Sequence, residues 1–148
     1  MMDYLIIGFG NTLRGDDGVG PQVAEAIAQW QLANVRSRSV HQLTPELAAE
    51  IAQAQTVIFV DATVQGETVQ WRAIAAGAEA PCTAHYADPR SLLVISQILY
   101  GRSPQAYELL IPAVDFSFGE TLSETTKNNL KVALEKLKKI LGSDLQKA

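Results

Sequence analysis

The chain has 148 residues, a length typical of one domain, and 47% of them are hydrophobic while 19% are charged. This composition allows a substantial buried core and excludes an intrinsically disordered protein. The formal net charge of −4 argues against nucleic acid as the main partner, because phosphate binding requires a basic surface.

The cysteine content and the N-terminus bear on the cellular compartment. Cys82 is the single cysteine, so no internal disulfide can form, and a reducing compartment fits. The N-terminal residues lack the basic region and long apolar run of a secretory signal. No apolar stretch approaches the roughly 18–20 residues that a membrane helix needs. We therefore expect a cytoplasmic protein that does not associate with membranes.

Strand and helix signals alternate from the N-terminus. A buried strand is expected at residues 4–7, an apolar run closed by Gly8. Pro21 suits the first turn of a helix whose apolar positions continue at helical spacing to Trp30. A weaker strand signal covers residues 35–40.

The middle of the chain carries the strongest strand signal. Thr44 and Pro45 are typical of a helix N-terminus, as N-cap and first-turn proline. Residues 56–60 form a continuous, β-branched apolar run, and Asp61 follows it directly. Alternating apolar and polar residues over 69–73 indicate a strand with one wetter face.

The C-terminal half continues the alternation. A helix is expected over residues 88–100, because Asp-Pro can start it and a glycine follows its end. A strand over 107–111 ends at Pro112, and a last helix with apolar residues on one face over 130–141 is closed by Gly142. Its lysines are expected on a solvated face: Lys127, Lys131, Lys138 and Lys139.

This alternation predicts an α/β fold, a three-layer α/β/α sandwich with a twisted, mostly parallel central sheet of about five strands. We expect one domain that spans residues 1–148. Ligand sites in such sheets lie beyond the carboxyl ends of the strands. Asp61 is expected at one such end, and the loop after Ile7 leaves from another.

The loop over residues 8–20 reads GFGNTLRGDDGVG. A strand followed by Gly-x-Gly and a helix suggests a dinucleotide-binding site, but Leu13 occupies the position of the third glycine of that motif. Asp16 and Asp17 would also face the pyrophosphate, at a cost of several kcal/mol in a partly dry cleft. The acidic pair suits a cation instead. Alternatively the two acids cap the following helix, an interpretation that we favour for one of them and leave open for the pair.

Three motifs in order resemble those of the NiFe-hydrogenase maturation proteases. They are G-x-G-N-x-L-x-x-D-D-G-x-G over residues 8–20, V-D-A over residues 60–62, and a histidine before a helix. The resemblance runs over nearly the whole chain and includes Ile-Pro at 111–112 and Leu-Ser at 122–123. The first motif is long and specific, and the three together are a strong signal.

The resemblance implies an endopeptidase that trims a C-terminal extension from the hydrogenase large-subunit precursor after nickel has been inserted. It implies that Asp17, Asp61 and His85 contact the metal and form the catalytic set. The substrate would supply the nickel, so no permanently bound cofactor is expected. Ile111 stands where many relatives have glutamine, which bears on the hydrogenase served. The general likeness is nearest to the protease for a bidirectional NAD-linked hydrogenase.

Two carboxylates and one imidazole leave exchangeable positions and suit nickel or zinc. Cys82 lies three residues from His85, but a lone cysteine in an apolar stretch is more often a small buried residue than a ligand. His41 is interpreted as a surface or packing residue. For Asn11, orienting the substrate and a plain turn role are both open.

Other residues and functions complete the sequence-based expectations. Trp30 and Trp71 are expected in the core. The segment 115–119, with Asp115, Phe116, Phe118 and Gly119, is a candidate wall of the substrate groove. Two other functions stay open: a nickel-holding assembly chaperone that cuts nothing and uses the same three residues, and a nucleotide-binding regulator.

Overall fold

The computed structural model describes residues 2–77 and 88–145, which form one five-stranded sheet and four α-helices. Short 3-10 turns at Gly15–Gly18 and Pro45–Leu47 precede the first two helices. The strands are β1 (Met2–Phe9), β2 (Val35–Val40), β3 (Ala54–Thr63), β4 (Gln70–Ile74) and β5 (Gln105–Pro112). The helices are α1 (Val19–Gln29), α2 (Ala48–Ile51), α3 (Pro89–Tyr100) and α4 (Glu124–Leu145).

The strand order across the sheet is β2-β1-β3-β5-β4. The first four strands in this order are parallel, and β4 runs antiparallel to β5 at the edge. The central strands β1 and β3 are buried on both faces, which explains why both read as continuous apolar runs. The predicted α/β class and mostly parallel sheet are confirmed.

Alternate residues of β1 enter two separate cores. Tyr4 and Ile6 pack with the apolar faces of α1 and α4. Leu5 and Ile7 pack on the other side, with α2 and α3. The sheet is therefore covered on both faces, as the predicted three-layer sandwich requires.

The third strand extends further than its sequence signal. The expected strand stops before Asp61, whereas β3 continues to Thr63 because its pairing with β5 runs on to Thr63 opposite Pro112. Asp61 is thus held inside the ladder, opposite Leu110, and does not lie on a free loop.

Two helix boundaries differ from expectation. The segment after Thr44 forms a 3-10 turn and a four-residue α2, and the Thr44 side chain makes no capping hydrogen bond. Gly142 does not end α4, which continues to Leu145. One glycine weakens a helix by about 1 kcal/mol and does not by itself stop it.

The predicted ends of α3 are confirmed. The N–H of Ser91 donates to Oδ1 of Asp88 at 2.7 Å, and the N–H of Asp88 donates to Oγ of Ser91 at 3.0 Å, so each residue caps the other. Gly101 ends the helix in the left-handed conformation, with φ of 72°. This cap fixes where α3 begins, close to the carboxyl edge of the sheet.

The predicted surface residues lie as expected, and the tryptophans are less buried than expected. Trp30 and Trp71 pack against the core but are only partly buried. Trp71 stacks on Tyr107 with ring centroids 4.7 Å apart. His41 is exposed, and so are the four lysines of the last helix: Lys127, Lys131, Lys138 and Lys139.

Within the described ranges, the structure offers no helix with the length and apolar character needed to cross a bilayer. The predicted single domain over residues 1–148 and the predicted cytoplasmic location both stay predictions. Cys82 and His85 lie outside the described residues.

Asp16 ties the first loop to the segment that precedes α4. Its carboxylate is fully buried and accepts four hydrogen bonds, from the N–H groups of Val114 at 2.9 Å, Asp115 at 2.8 Å and Ser123 at 2.7 Å and from the Ser123 hydroxyl at 2.8 Å. Burial alone would raise the pKa of Asp16, but the hydrogen bonds outweigh it and lower the pKa to about 2. The helix-capping interpretation is wrong, because the N-terminus of α1 has no side-chain cap.

We predict that Asp16→Asn lowers the free energy of unfolding at pH 7 by about 2–4 kcal/mol, because three backbone N–H groups that face the buried carboxylate lose a charged acceptor. In the native protein the Asp16 contribution is complete above pH 4, the range of an unfolded aspartate. It is lost as the pH falls toward 2. Urea unfolding at pH 7 and pH 3 measures both effects.

Glu120→Gln is the matched control for this measurement, since Glu120 is an exposed acid in the same segment. It should change the unfolding free energy by less than about 0.5 kcal/mol. Equal stability of the Asp16→Asn and Glu120→Gln proteins at pH 7 would contradict the stabilising role of the Asp16 carboxylate.

Candidate active site

Asp17 reaches the carboxyl edge of the sheet through the loop that joins β1 to α1. Gly10 adopts a φ of +149°, which side-chain-bearing residues rarely adopt, and a Cβ there would overlap the Asp17 carbonyl oxygen. The N–H of Asn11 donates to Oδ2 of Asp17 at 2.7 Å. The Asn11 side chain in turn accepts the N–H of Leu13 at 2.9 Å, which is the turn role considered for it.

Asp61 enters the same region from β3, on the sheet face that it shares with Phe59. Burial raises the pKa of Asp61, the N–H of Ala62 opposes this by hydrogen bonding, and the charges of Asp17 and Glu108 raise it further, to about 7. At neutral pH the Asp61 carboxyl group is therefore poised between its protonated and ionised forms.

Asp17 and Asp61 line one open groove of about 510 Å³. The structure thus brings together two of the three predicted site residues. His85, the third, lies outside the described residues and stays a prediction. Within residues 2–77 and 88–145, no group of three or more His, Cys, Asp and Glu side chains could hold a metal ion. Of the segment predicted to wall the groove, Phe116 lines it.

Two charged residues of the groove were missed by sequence reasoning. Glu108 of β5 lies opposite Phe59 of β3 and opposite Arg72 of β4. Nη2 of Arg72 lies 3.0 Å from Oε2 of Glu108, and both residues line the groove. Their sequence signal was available: Glu108 is the one acid in the apolar strand run, and Arg72 is on the wetter face of its strand.

A smaller cavity of about 190 Å³ adjoins the groove. The two share Asp61, Glu108 and Leu110. Asp88 and Pro89, at the start of α3, line the smaller cavity as well. The residues that follow the 78–87 segment are therefore at the site.

Comparison with known proteins identifies the fold. No protein-family model matches the chain, and a search of curated proteins finds no match. Among solved structures, the chain resembles the hydrogenase maturating endopeptidase HybD from E. coli, with a TM-score of 0.76 at 20% identity over 97% of this chain and 94% of that one.

Two archaeal structures are similar as well. The NiFe hydrogenase maturation protease HycI from Thermococcus kodakarensis gives a TM-score of 0.74 at 22% identity, over 95% of this chain and 93% of that one. The hydrogenase 2 maturation peptidase from a Thaumarchaeota archaeon gives a TM-score of 0.69 at 20% identity, over 95% of this chain and 98% of that one. The chain has the hydrogenase maturation protease fold. In this fold the groove of Asp17 and Asp61 lies at the carboxyl edge of the sheet, where ligand sites of α/β proteins are found.

We predict that Asp61→Asn stabilises the protein in chelator-containing buffer. The pKa of Asp61 in the folded chain, about 7, lies above the unfolded value near 4. Asp61 therefore lowers the free energy of unfolding of the native protein as the pH rises from 4 to 7. The neutral amide escapes this loss. The gain over the native protein should be small near pH 4 and reach about 4 kcal/mol at pH 8.

Thermal unfolding across this pH range provides the measurement. Glu67→Gln, which changes an exposed acid in the loop after β3, is the control and should show no pH-dependent gain. If Asp61→Asn had the same stability difference at pH 4 and pH 8, the Asp61 carboxyl group would not carry the burial cost described here.

Proposed function

We propose that the chain is an endopeptidase that removes the C-terminal extension of a nickel-loaded NiFe-hydrogenase large-subunit precursor in the cytoplasm. It recognises the nickel carried by the substrate through Asp17, Asp61 and His85. One observation carries this proposal: two carboxylates share a groove at the carboxyl edge of the sheet, in the fold of HybD and HycI.

The electrostatics of the groove favour a cation. Burial raises the pKa of Asp61 and the charges of Asp17 and Glu108 raise it further, so the ionised form of Asp61 is unfavourable without a cation beside it. A divalent ion between Asp17 and Asp61 removes their repulsion and compensates for the lost solvation of Asp61. Glu108 has an ion-pair partner in Arg72, so we assign the cation to Asp17 and Asp61.

The small number of ligands suits an ion that arrives with the substrate. Two carboxylates and an imidazole leave coordination positions for donors from the precursor. A complete protein site would compete with the hydrogenase for its nickel, whereas an incomplete one can contact the ion without removing it. Nickel is therefore part of the substrate and not a resident cofactor.

The length of the chain is compatible with His85 as the third donor. Three peptide units separate His85 from Asp88, and extended chain spans at most about 3.6 Å per residue, or roughly 11 Å in total. Asp88 lines the cavity that also contains Asp61. A histidine within this reach can contact an ion bound by the aspartates.

In the proposed reaction, the site aligns the scissile peptide beside the ion. An ion held there polarises a neighbouring carbonyl group or activates a water molecule.

We predict that the purified chain releases the C-terminal peptide from purified nickel-loaded precursor and leaves nickel-free precursor intact. Asp17→Ala, Asp61→Asn and His85→Ala should each lower the rate by about 100-fold or more, since the alanine variants remove a donor to the ion and the asparagine variant removes the negative charge. Mass spectrometry of the released peptide measures the rate, and Glu67→Gln should cleave at the rate of the native protein.

The outcomes separate the alternatives. Full-rate cleavage by one of the three variants would remove that residue from the site. Tight binding of the nickel-loaded precursor without any cleavage would support the assembly-chaperone function instead. Cleavage that does not depend on nickel loading would contradict recognition of the metal.

A further inference from the structure

We infer that an apolar rim beside the groove is the surface on which the precursor protein docks, an inference that rests on the proposed function. The rim consists of Leu13, Val64, Val114, Phe116 and Phe118. Four of these residues are exposed, with 88% of Phe118, 77% of Val64, 64% of Val114 and 47% of Leu13 accessible to solvent.

The rim is continuous with the candidate site. Val64 and Phe116 line the same groove as Asp17 and Asp61. Phe116 belongs to the segment that also carries Val114 and Phe118. A protein that brings a metal-bound segment to the two aspartates must therefore contact this segment.

Val64 stands on the loop after β3, and the other four rim residues stand on two loops that backbone hydrogen bonds hold together. The N–H of Gly119 donates to the carbonyl of Leu13 at 2.8 Å, and the N–H of Gly15 donates to the carbonyl of Gly119 at 2.8 Å. The N–H of Asp16 donates to the carbonyl of Asp115 at 2.8 Å, beside the buried Asp16 carboxylate. Phe118 and Val114 are thus exposed on a segment that many hydrogen bonds hold in place.

Gly15 makes this close approach of the two loops possible. Its φ is +52°, and a Cβ at this position would lie 2.6 Å from the carbonyl oxygen of Asp115. A residue with a side chain would separate the loops. The exposed residues of these two loops therefore stand on a fixed backbone, and exposed apolar residues beside a groove are typical of an interaction site.

The chemistry of the surface identifies its occupant. The groove presents the carboxylates of Asp17 and Asp61, so its complement carries positive charge, and the rim adds an apolar border to this acidic centre. A protein surface with an apolar area around a bound metal cation fits both parts. The nickel-loaded precursor supplies the cation, and the inference requires apolar residues beside its nickel that contact the rim.

A second exposed apolar group supplies the control. Ile98, Leu99 and Tyr100, at the end of α3, are exposed by 74%, 65% and 53%. They lie near Arg102, which donates to the carbonyl of Ala52 at 3.0 Å. Ala52 lies just before β3 begins, and so at the opposite edge of the sheet. Their distance from the groove makes them independent of the docking surface proposed here.

The test compares the double variant Val114→Ser/Phe118→Ser with the control Ile98→Ser/Leu99→Ser. Isothermal titration with nickel-loaded precursor should show a Kd increased by about 10-fold or more for the rim variant and unchanged for the control. The loss in kcat/KM for cleavage should appear mainly in KM. Thermal unfolding of both variants verifies that they fold.

Failure of this inference is distinct from failure of the proposed function. Native protein that binds the precursor through the rim but never cleaves it would overturn the endopeptidase and leave the docking surface. Cleavage by the native protein, with equal binding by native and rim variant, would overturn the docking surface alone. Equally weakened binding of the precursor by the rim and control variants would also overturn the docking surface, because the effect would not be local to the rim.

Discussion

The burial of the Asp61 carboxyl group beside the carboxylate of Asp17 is the constraint on which the candidate site depends. Asp61 is half-buried in the sheet, faces the charge of Asp17 and has a pKa raised to about 7. A protein gains no stability from such an arrangement without a cation. The fold nevertheless fixes both residues, Asp17 through the Asn11 N–H and Asp61 through the β3–β5 ladder. Rigid placement of an unfavourable pair is what a site for an incoming ion requires.

Adjacent acids of the same loop have opposite roles because their surroundings differ. Asp16 is surrounded by hydrogen-bond donors, which stabilise its charge and lower its pKa to about 2. Asp17 faces the groove beside another carboxylate. The hydrogen bonds of Asp16 also hold part of the apolar rim in place, because the segment that Asp16 binds carries Val114 and Phe118. Asp16 therefore links the position of the acidic centre to that of the surface around it.

The sequence predicts much of the fold, because its signals are local. The β-branched run before Asp61, and the Asp-Pro start and glycine end of α3, each specify their element within a few residues. The role of Asp16 could not be predicted, since its partners lie 98 to 107 residues further along the chain. The pairing of Arg72 with Glu108 depends on β4 joining the sheet edge in antiparallel direction, which no local pattern determines. Asp17 and Asp61 were found through the family resemblance, and spacing alone would have left Asp16 and Asp17 indistinguishable.

The central claim is that Asp17 and Asp61 bind one common ion. Anomalous diffraction from crystals soaked in nickel tests it most directly. The account predicts one strong peak in the groove, with a carboxylate oxygen of each aspartate and a nitrogen of His85 at about 2 Å. A peak that contacts one aspartate alone, or nickel bound elsewhere while the groove stays empty, would contradict it.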